Sequence, residues 1–189
     1  MNIQESPGVT RIIICIFLIL FVLDAIVFKG NLLELACSKG FNVIDKTEWY
    51  RFLTDSFFHV STLHLLANVL GIYFVGVILE NKIGSFNFLL IYLFANIFKS
   101  LIWARVFPYN ELGCGASPGI YALIGCILII YLNNINLIKP YFNTWTLNYI
   151  IWYFLLGNIT GAGGLMAHSL GFSFGIVTSM VLLLKERLL

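Results

Sequence analysis

The stretch LHLLANVLGIYFVGVIL, Leu63–Leu79, is apolar enough and long enough to enter a bilayer as a helix, yet it carries His64 and Asn68 in its opening turns. A polar or ionisable side chain in lipid is costly, so its presence there marks a functional site by default. Two other stretches repeat the pattern. Gly115-Ala116-Ser117-Pro118-Gly119 opens one apolar run, and His168, followed by Gly171 and Gly175, lies near the start of the last. A serine and a histidine buried together suggest a hydrolase.

Composition sets the class around these stretches. Of 189 residues, 60% are hydrophobic and 11% charged, whereas a soluble domain is roughly half apolar and about a quarter charged. The expected fold class is therefore an all-α membrane protein. About six apolar runs read as long enough to cross a ~30 Å hydrocarbon core: Arg11 to Phe28, Leu63 to Leu79, Phe86 to Val106, Ser117 to Leu132, Thr144 to Ile159 and Leu165 to Leu184. Asn133, Asn134 and Asn136 crowd the turn between the fourth and fifth. The first run does not read as a cleaved signal, because Asp24 interrupts it and no small-residue cleavage pattern follows. With no repeat, linker or low-complexity tract, residues 1–189 read as a single membrane domain with no separate soluble part.

Charge gives a weak orientation. With six spans, Arg11, Lys82, Lys139, Lys185 and Arg187 fall on one side and Lys29, Lys39, Lys46, Arg51 and Arg105 on the other, so counting positive charges does not choose between them. The second group sits mostly in one long loop beside Glu34, Asp45, Glu48 and Asp55, as in a folded loop with internal ion pairs. The first group has few acidic neighbours, which favours cytoplasmic termini. A net charge of +2 implies no nucleic-acid partner. Cys15 and Cys126 fall inside spans as small buried hydrophobes. Cys37 and Cys114 fall on one side and outside the cytoplasm could pair, but no spacing pattern supports a bridge.

Spans two, four and six run in the same direction, so the ends that hold His64, Ser117 and His168 share one membrane face. Each motif also has a plainer reading. Ser117 alone is a good helix N-cap with Pro118 at the first helical position. The glycines, Gly113, Gly115 and Gly119 as well as Gly171 and Gly175, suit close helix packing. His64 and Asn68 can be polar glue between helices. Phase favours the functional reading. His168, Gly171 and Gly175 fall at i, i+3 and i+7, and Ser117, Tyr121 and Gly125 at i, i+4 and i+8, each on one helical stripe. If the stripes face each other, glycine brings the Ser117 hydroxyl within reach of the His168 ring as general base. His64 and Asn68, at i and i+4, would then donate to an oxyanion. His59, in the loop with Trp49, Tyr50 and Arg51, reads as structural, and Asp24 has no histidine partner. No third triad member is visible, and no metal or cofactor is called for.

The segment Trp49-Tyr50-Arg51-Phe52-Leu53-Thr54, with His59, His64-Leu65-Leu66-Ala67-Asn68, Gly76 and Glu80, resembles the first loop and second span of the rhomboid intramembrane serine proteases. Gly115-Ala116-Ser117 with Tyr121-Ala122-Leu123-Ile124-Gly125 is similar to their serine motif, and Ala167-His168 with Gly171 and Gly175 to their last-span histidine motif. The resemblance implies a six-span bundle that cuts single-span membrane proteins near the outer face of the cell membrane. Ser117 would be the nucleophile and His168 the base, in a water-filled cavity closed by a mobile fifth span and cap loop. His64, Asn68 and the Ser117 N–H would form the oxyanion hole, with Tyr121 against the His168 ring. Two departures stand out: Pro118 follows the serine where the family usually has glycine, and Tyr50 stands where a second tryptophan is common. The rivals are a non-catalytic relative that binds unstable transmembrane helices, and a small transporter, which would want charges near mid-bilayer.

Overall fold

The computed structural model of the chain describes residues 7–40, 46–106, 112–159 and 161–184. Asp45, Lys185 and Arg187, which entered the charge reading, lie outside the described residues. Eight α-helices are described: α1 (Gly8–Leu23), α2 (Asn31–Ala36), α3 (Arg51–Thr54), α4 (Thr62–Ile83), α5 (Ser85–Val106), α6 (Ser117–Asn134), α7 (Thr144–Gly157) and α8 (Ala162–Leu184). Five of the described helices are long and apolar enough to cross a membrane: α1 with its extension to Phe28, α4, α5, α6 with its extension to Leu137, and α8. The fifth apolar run forms α7, whose 14 residues reach only about 21 Å at 1.5 Å per residue. The result is an all-α membrane bundle in which five crossings stand on length and composition.

Local chemistry explains the boundaries. Ser61 caps α4 by accepting from the His64 N–H, at 3.2 Å, and Asn143 caps α7 by accepting from the Thr146 N–H, at 2.8 Å. Gly84, at φ +80°, makes the tight reversal from α4 into α5, a conformation L side chains rarely adopt. The carboxylate of Asp24 is buried near the end of the first span and accepts from the Leu32 N–H at the start of α2, at 2.9 Å. At the opposite end of the bundle Glu80 accepts from the N–H groups of Val9 and Thr10, at 2.9 and 2.8 Å, which anchors the start of α1 to the end of α4. Gly76 lets α1 approach: a Cβ there would meet Thr10 Oγ1 at 2.1 Å.

Helix α6 is the axis of the bundle. Every residue from Ser117 through Ile127 is buried, as expected of a helix that is apolar on all faces. It packs against α4, α5 and α8 through Ile72, Tyr92, Ile120 and Leu123 among others, all without solvent exposure. Its contact with α8 is backbone on backbone: a Cβ at Gly171 would lie 2.1 Å from the Pro118 carbonyl oxygen, and one at Gly175 1.9 Å from that of Ala122.

In the described parts of the long first loop, charges form the internal ion pairs expected of it. Lys39 pairs with Glu34, and Arg51 donates to Glu48 at 2.7 Å. Arg51 also donates to the carbonyls of Glu34 and Cys37, both at 2.8 Å. Two features were not legible in the sequence. Ser38–Lys39 (β1) and Leu112–Gly113 (β2) form a two-residue antiparallel ladder, and Cys37 forms a disulfide with Cys114, their Cα atoms 5.2 Å apart. The two cysteines do pair despite the absence of a spacing signal, because the ladder beside them sets their positions.

Candidate active site

Ser117 begins α6 and His168 lies in the second turn of α8. The glycine stripe of α8 presses on the first turns of α6, and this close approach leaves Ser117 Oγ and His168 Nε2 sharing a hydrogen bond of 2.9 Å. The imidazole stacks on the Tyr121 ring, centroids 4.2 Å apart and planes 4° from parallel. Tyr121 is held in turn by its hydroxyl, which donates to the carbonyl of Phe154 at 2.9 Å. Gly157 completes the seat, since a Cβ there would meet Tyr121 Oη at 2.4 Å. Ser117 and His168 are 9% and 7% exposed.

Ser117 is not the helix cap that its neighbourhood suggests. The cap position belongs to Ala116, and no side chain caps the helix. The serine sits one residue further in, and its hydroxyl is engaged by His168 instead.

His64 and Asn68 line one cavity of about 680 Å³ together with Ser117, Tyr121 and His168. Gly115, at φ +126°, is what admits His64: a Cβ there would lie 2.6 Å from His64 Cε1 and 2.8 Å from Nε2. The Asn68 amide donates from Nδ2 to the His64 carbonyl at 3.1 Å. His59 packs its ring against Phe17 and His64, with centroids 4.8 and 5.2 Å away. Burial, with a smaller contribution from His64, pushes the His59 pKa down to about 3, so its ring is neutral at physiological pH. Among the described residues no group of three or more His, Cys, Asp or Glu could hold a metal ion.

Sequence reasoning missed three contributors to this cavity. Lys99 lines it and ion-pairs with Asp55 at 2.9 Å; a cation inside an apolar run was the signal that could have flagged it. The carboxylate of Asp55 also accepts from Ser38 and Ser100, at 2.8 and 2.5 Å, while its main-chain carbonyl accepts from the Gly115 N–H at 2.9 Å. Burial raises the Asp55 pKa, opposed by Lys99 and the two hydroxyls. Tyr149 and Tyr153 of α7 also face the cavity, and nothing in their local sequence distinguishes them from bilayer-interface aromatics. The arrangement offers a hydroxyl beside an imidazole, an amide and a second imidazole nearby, and an otherwise largely apolar enclosure.

Comparison with known proteins gives a concordant result. The family model for the Rhomboid domain matches residues 46–185. The chain is 37% identical over 97 residues to the rhomboid protease GluP of Bacillus subtilis, an alignment covering 51% of this chain and 19% of GluP. It is 27% identical over 149 residues to the putative rhomboid protease YdcA of the same organism, covering 78% of this chain and 75% of YdcA. It is also 27% identical over 128 residues to the inactive RHOMBOID-like protein 8 of Arabidopsis thaliana, covering 64% of this chain and 36% of that protein. With a matching family model over most of its length and the serine and histidine motifs in order, the chain belongs to the rhomboid family.

Proposed function

We propose that residues 1–189 form one rhomboid unit that acts as an intramembrane serine endopeptidase. The observation that carries this reading is the 2.9 Å contact between Ser117 Oγ and His168 Nε2 inside a cavity at the end of α6. The Ser117 hydroxyl donates to neutral Nε2. As Oγ attacks the scissile carbonyl, its proton passes to that nitrogen, and the imidazolium then protonates the leaving amine. His64, the second N–H of the Asn68 amide and the Ser117 N–H stabilise the oxyanion. Pro118 removes a backbone donor at its own position but leaves the one at Ser117. Tyr121 orients the imidazole by stacking.

Connectivity supports six crossings. Both α6 and α8 begin at the site, so the chain must return between them, and α7 is the helix available to bring it back. The substrates are single-span membrane proteins, cut near the outer face of the cell membrane. The Cys37–Cys114 disulfide supports a site that opens on the extracytoplasmic side, where such bonds persist.

The test is cleavage of a panel of single-span substrates by the purified protein in lipid. Ser117→Ala and His168→Ala should each lower turnover by at least about 10³-fold, and the double change should add little, because the two residues act as one unit. Wild-type turnover in Ser117→Ala would overturn the protease reading. Binding without cleavage, equal in wild type and Ser117→Ala, would instead assign the chain to the non-catalytic helix binders of the family.

A further inference from the structure

The amide of Asn68 is deeply buried, and its orientation is set from two sides. On one side stands the His64 carbonyl, which can only accept, so the amide nitrogen must face it; the contact is 3.1 Å. On the other side the Tyr153 hydroxyl of α7 donates to Asn68 Oδ1 at 2.7 Å. An asparagine amide has nearly the same shape when flipped, so only its partners decide which face presents a donor. With Oδ1 held by Tyr153 and one amide proton held by His64, the second amide proton is the group left to meet a ligand.

The seat of Tyr153 is built for it. Gly71, one turn beyond Asn68 on α4, leaves room for the ring: a Cβ there would meet Tyr153 Cε2 at 2.9 Å and Cζ at 3.0 Å. Tyr149, one turn earlier on α7, makes a different contact, donating to the Ala67 carbonyl at 3.1 Å. Both hydroxyls tie α7 to α4, but only that of Tyr153 touches a group in the candidate site.

We infer that Tyr153 is a positioning residue of the active site, holding Asn68 with its amide N–H toward the developing oxyanion. This rests on the protease reading above and adds to it a residue on α7 that acts through Asn68. Without the hydroxyl, only the 3.1 Å bond to the His64 carbonyl holds the amide, which can then tilt about that bond and carry its second N–H out of line with the oxyanion. The bond also polarises the amide and strengthens its remaining donor.

The test is a double-mutant cycle on substrate cleavage in lipid, with kcat and KM measured separately. Tyr153→Phe keeps the ring on Gly71 and removes only the hydroxyl, and an unchanged thermal midpoint verifies the fold. Since losing one oxyanion donor costs ~10² to 10³ in rate, misaligning it should lower kcat by about 5- to 20-fold, with KM within about twofold. In an Asn68→Ala background the same change should have no further effect, because the group it orients is gone. Tyr149→Phe, which also loosens α7 from α4, should show no such coupling to Asn68→Ala. An unchanged or raised kcat in Tyr153→Phe, or losses that simply multiply in the double variant, would overturn the inference and make the hydroxyl a tie between helices only. Those outcomes leave the protease reading standing. A wild-type protein that neither cuts the panel nor reacts at Ser117 with a fluorophosphonate would overturn both.

Discussion

Gly115 is the residue where backbone and chemistry meet most directly. Its φ of +126° lies where an L side chain is strained, a penalty of order 1–3 kcal/mol. Its missing Cβ is also the space that the His64 imidazole occupies, at 2.6 Å. Two independent reasons therefore demand glycine two residues before the serine. A ring can swing away more cheaply than a backbone can move, so Gly115→Ala should displace His64 while leaving the bundle folded. The expected outcome is a fall in kcat/KM of about 10- to 100-fold, at or below the ~10² to 10³ of a lost oxyanion donor because the ring is displaced and not removed, with a modest drop in thermal midpoint measured on the same preparation. An equal loss of activity and helicity would show instead that Gly115 matters to folding alone.

At the scale of elements, the contact between α6 and α8 decides whether the serine and histidine can meet. Gly175 lies one turn beyond Gly171, and a Cβ there would sit 1.9 Å from the Ala122 carbonyl oxygen. No side chain can move to relieve that clash, so Gly175→Ala must push the helices apart. Overpacking of this kind costs about 1–3 kcal/mol. Activity should fall with stability, although residue 175 touches neither Ser117 nor His168, and thermal unfolding in detergent alongside kcat/KM checks both. This stripe was legible in the sequence because His168, Gly171 and Gly175, at i, i+3 and i+7 of one helix, need only helical geometry to be read together. The six runs of apolar residues were legible for the same reason, although one became a helix of only 14 residues. What escaped was contact between elements far apart in the chain. Tyr153 and Asn68 are 85 residues apart, Lys99 and Asp55 44, and the two bridged cysteines 77. No local period connects such pairs, and only the packed bundle brings them together.

In the molecule as a whole, the first loop and the lead-in to the serine form one body. The ladder of Ser38–Lys39 with Leu112–Gly113, the Asp55 carbonyl on the Gly115 N–H and the disulfide between Cys37 and Cys114 all join the same two segments. Residue 114 stands three positions before Ser117, so the covalent link sits at the edge of the candidate site. A bridge of this kind typically contributes about 2–4 kcal/mol, mainly by restricting the unfolded chain. Cys37→Ser should therefore lower the thermal midpoint without abolishing cleavage, since the ladder and the Gly115 bond still hold the loop. Cys114→Ser should do the same, and the double variant no more than either, because one bond is lost in all three. Thiol counting in denaturant checks the chemistry directly. The protein has four cysteines, of which Cys15 and Cys126 are free, so a maleimide should label two sites before reduction and four after. Four sites without reduction, or losses of stability that add between the single variants, would mean that the cysteines act separately and that hydrogen bonds alone hold the loop against the lead-in to Ser117.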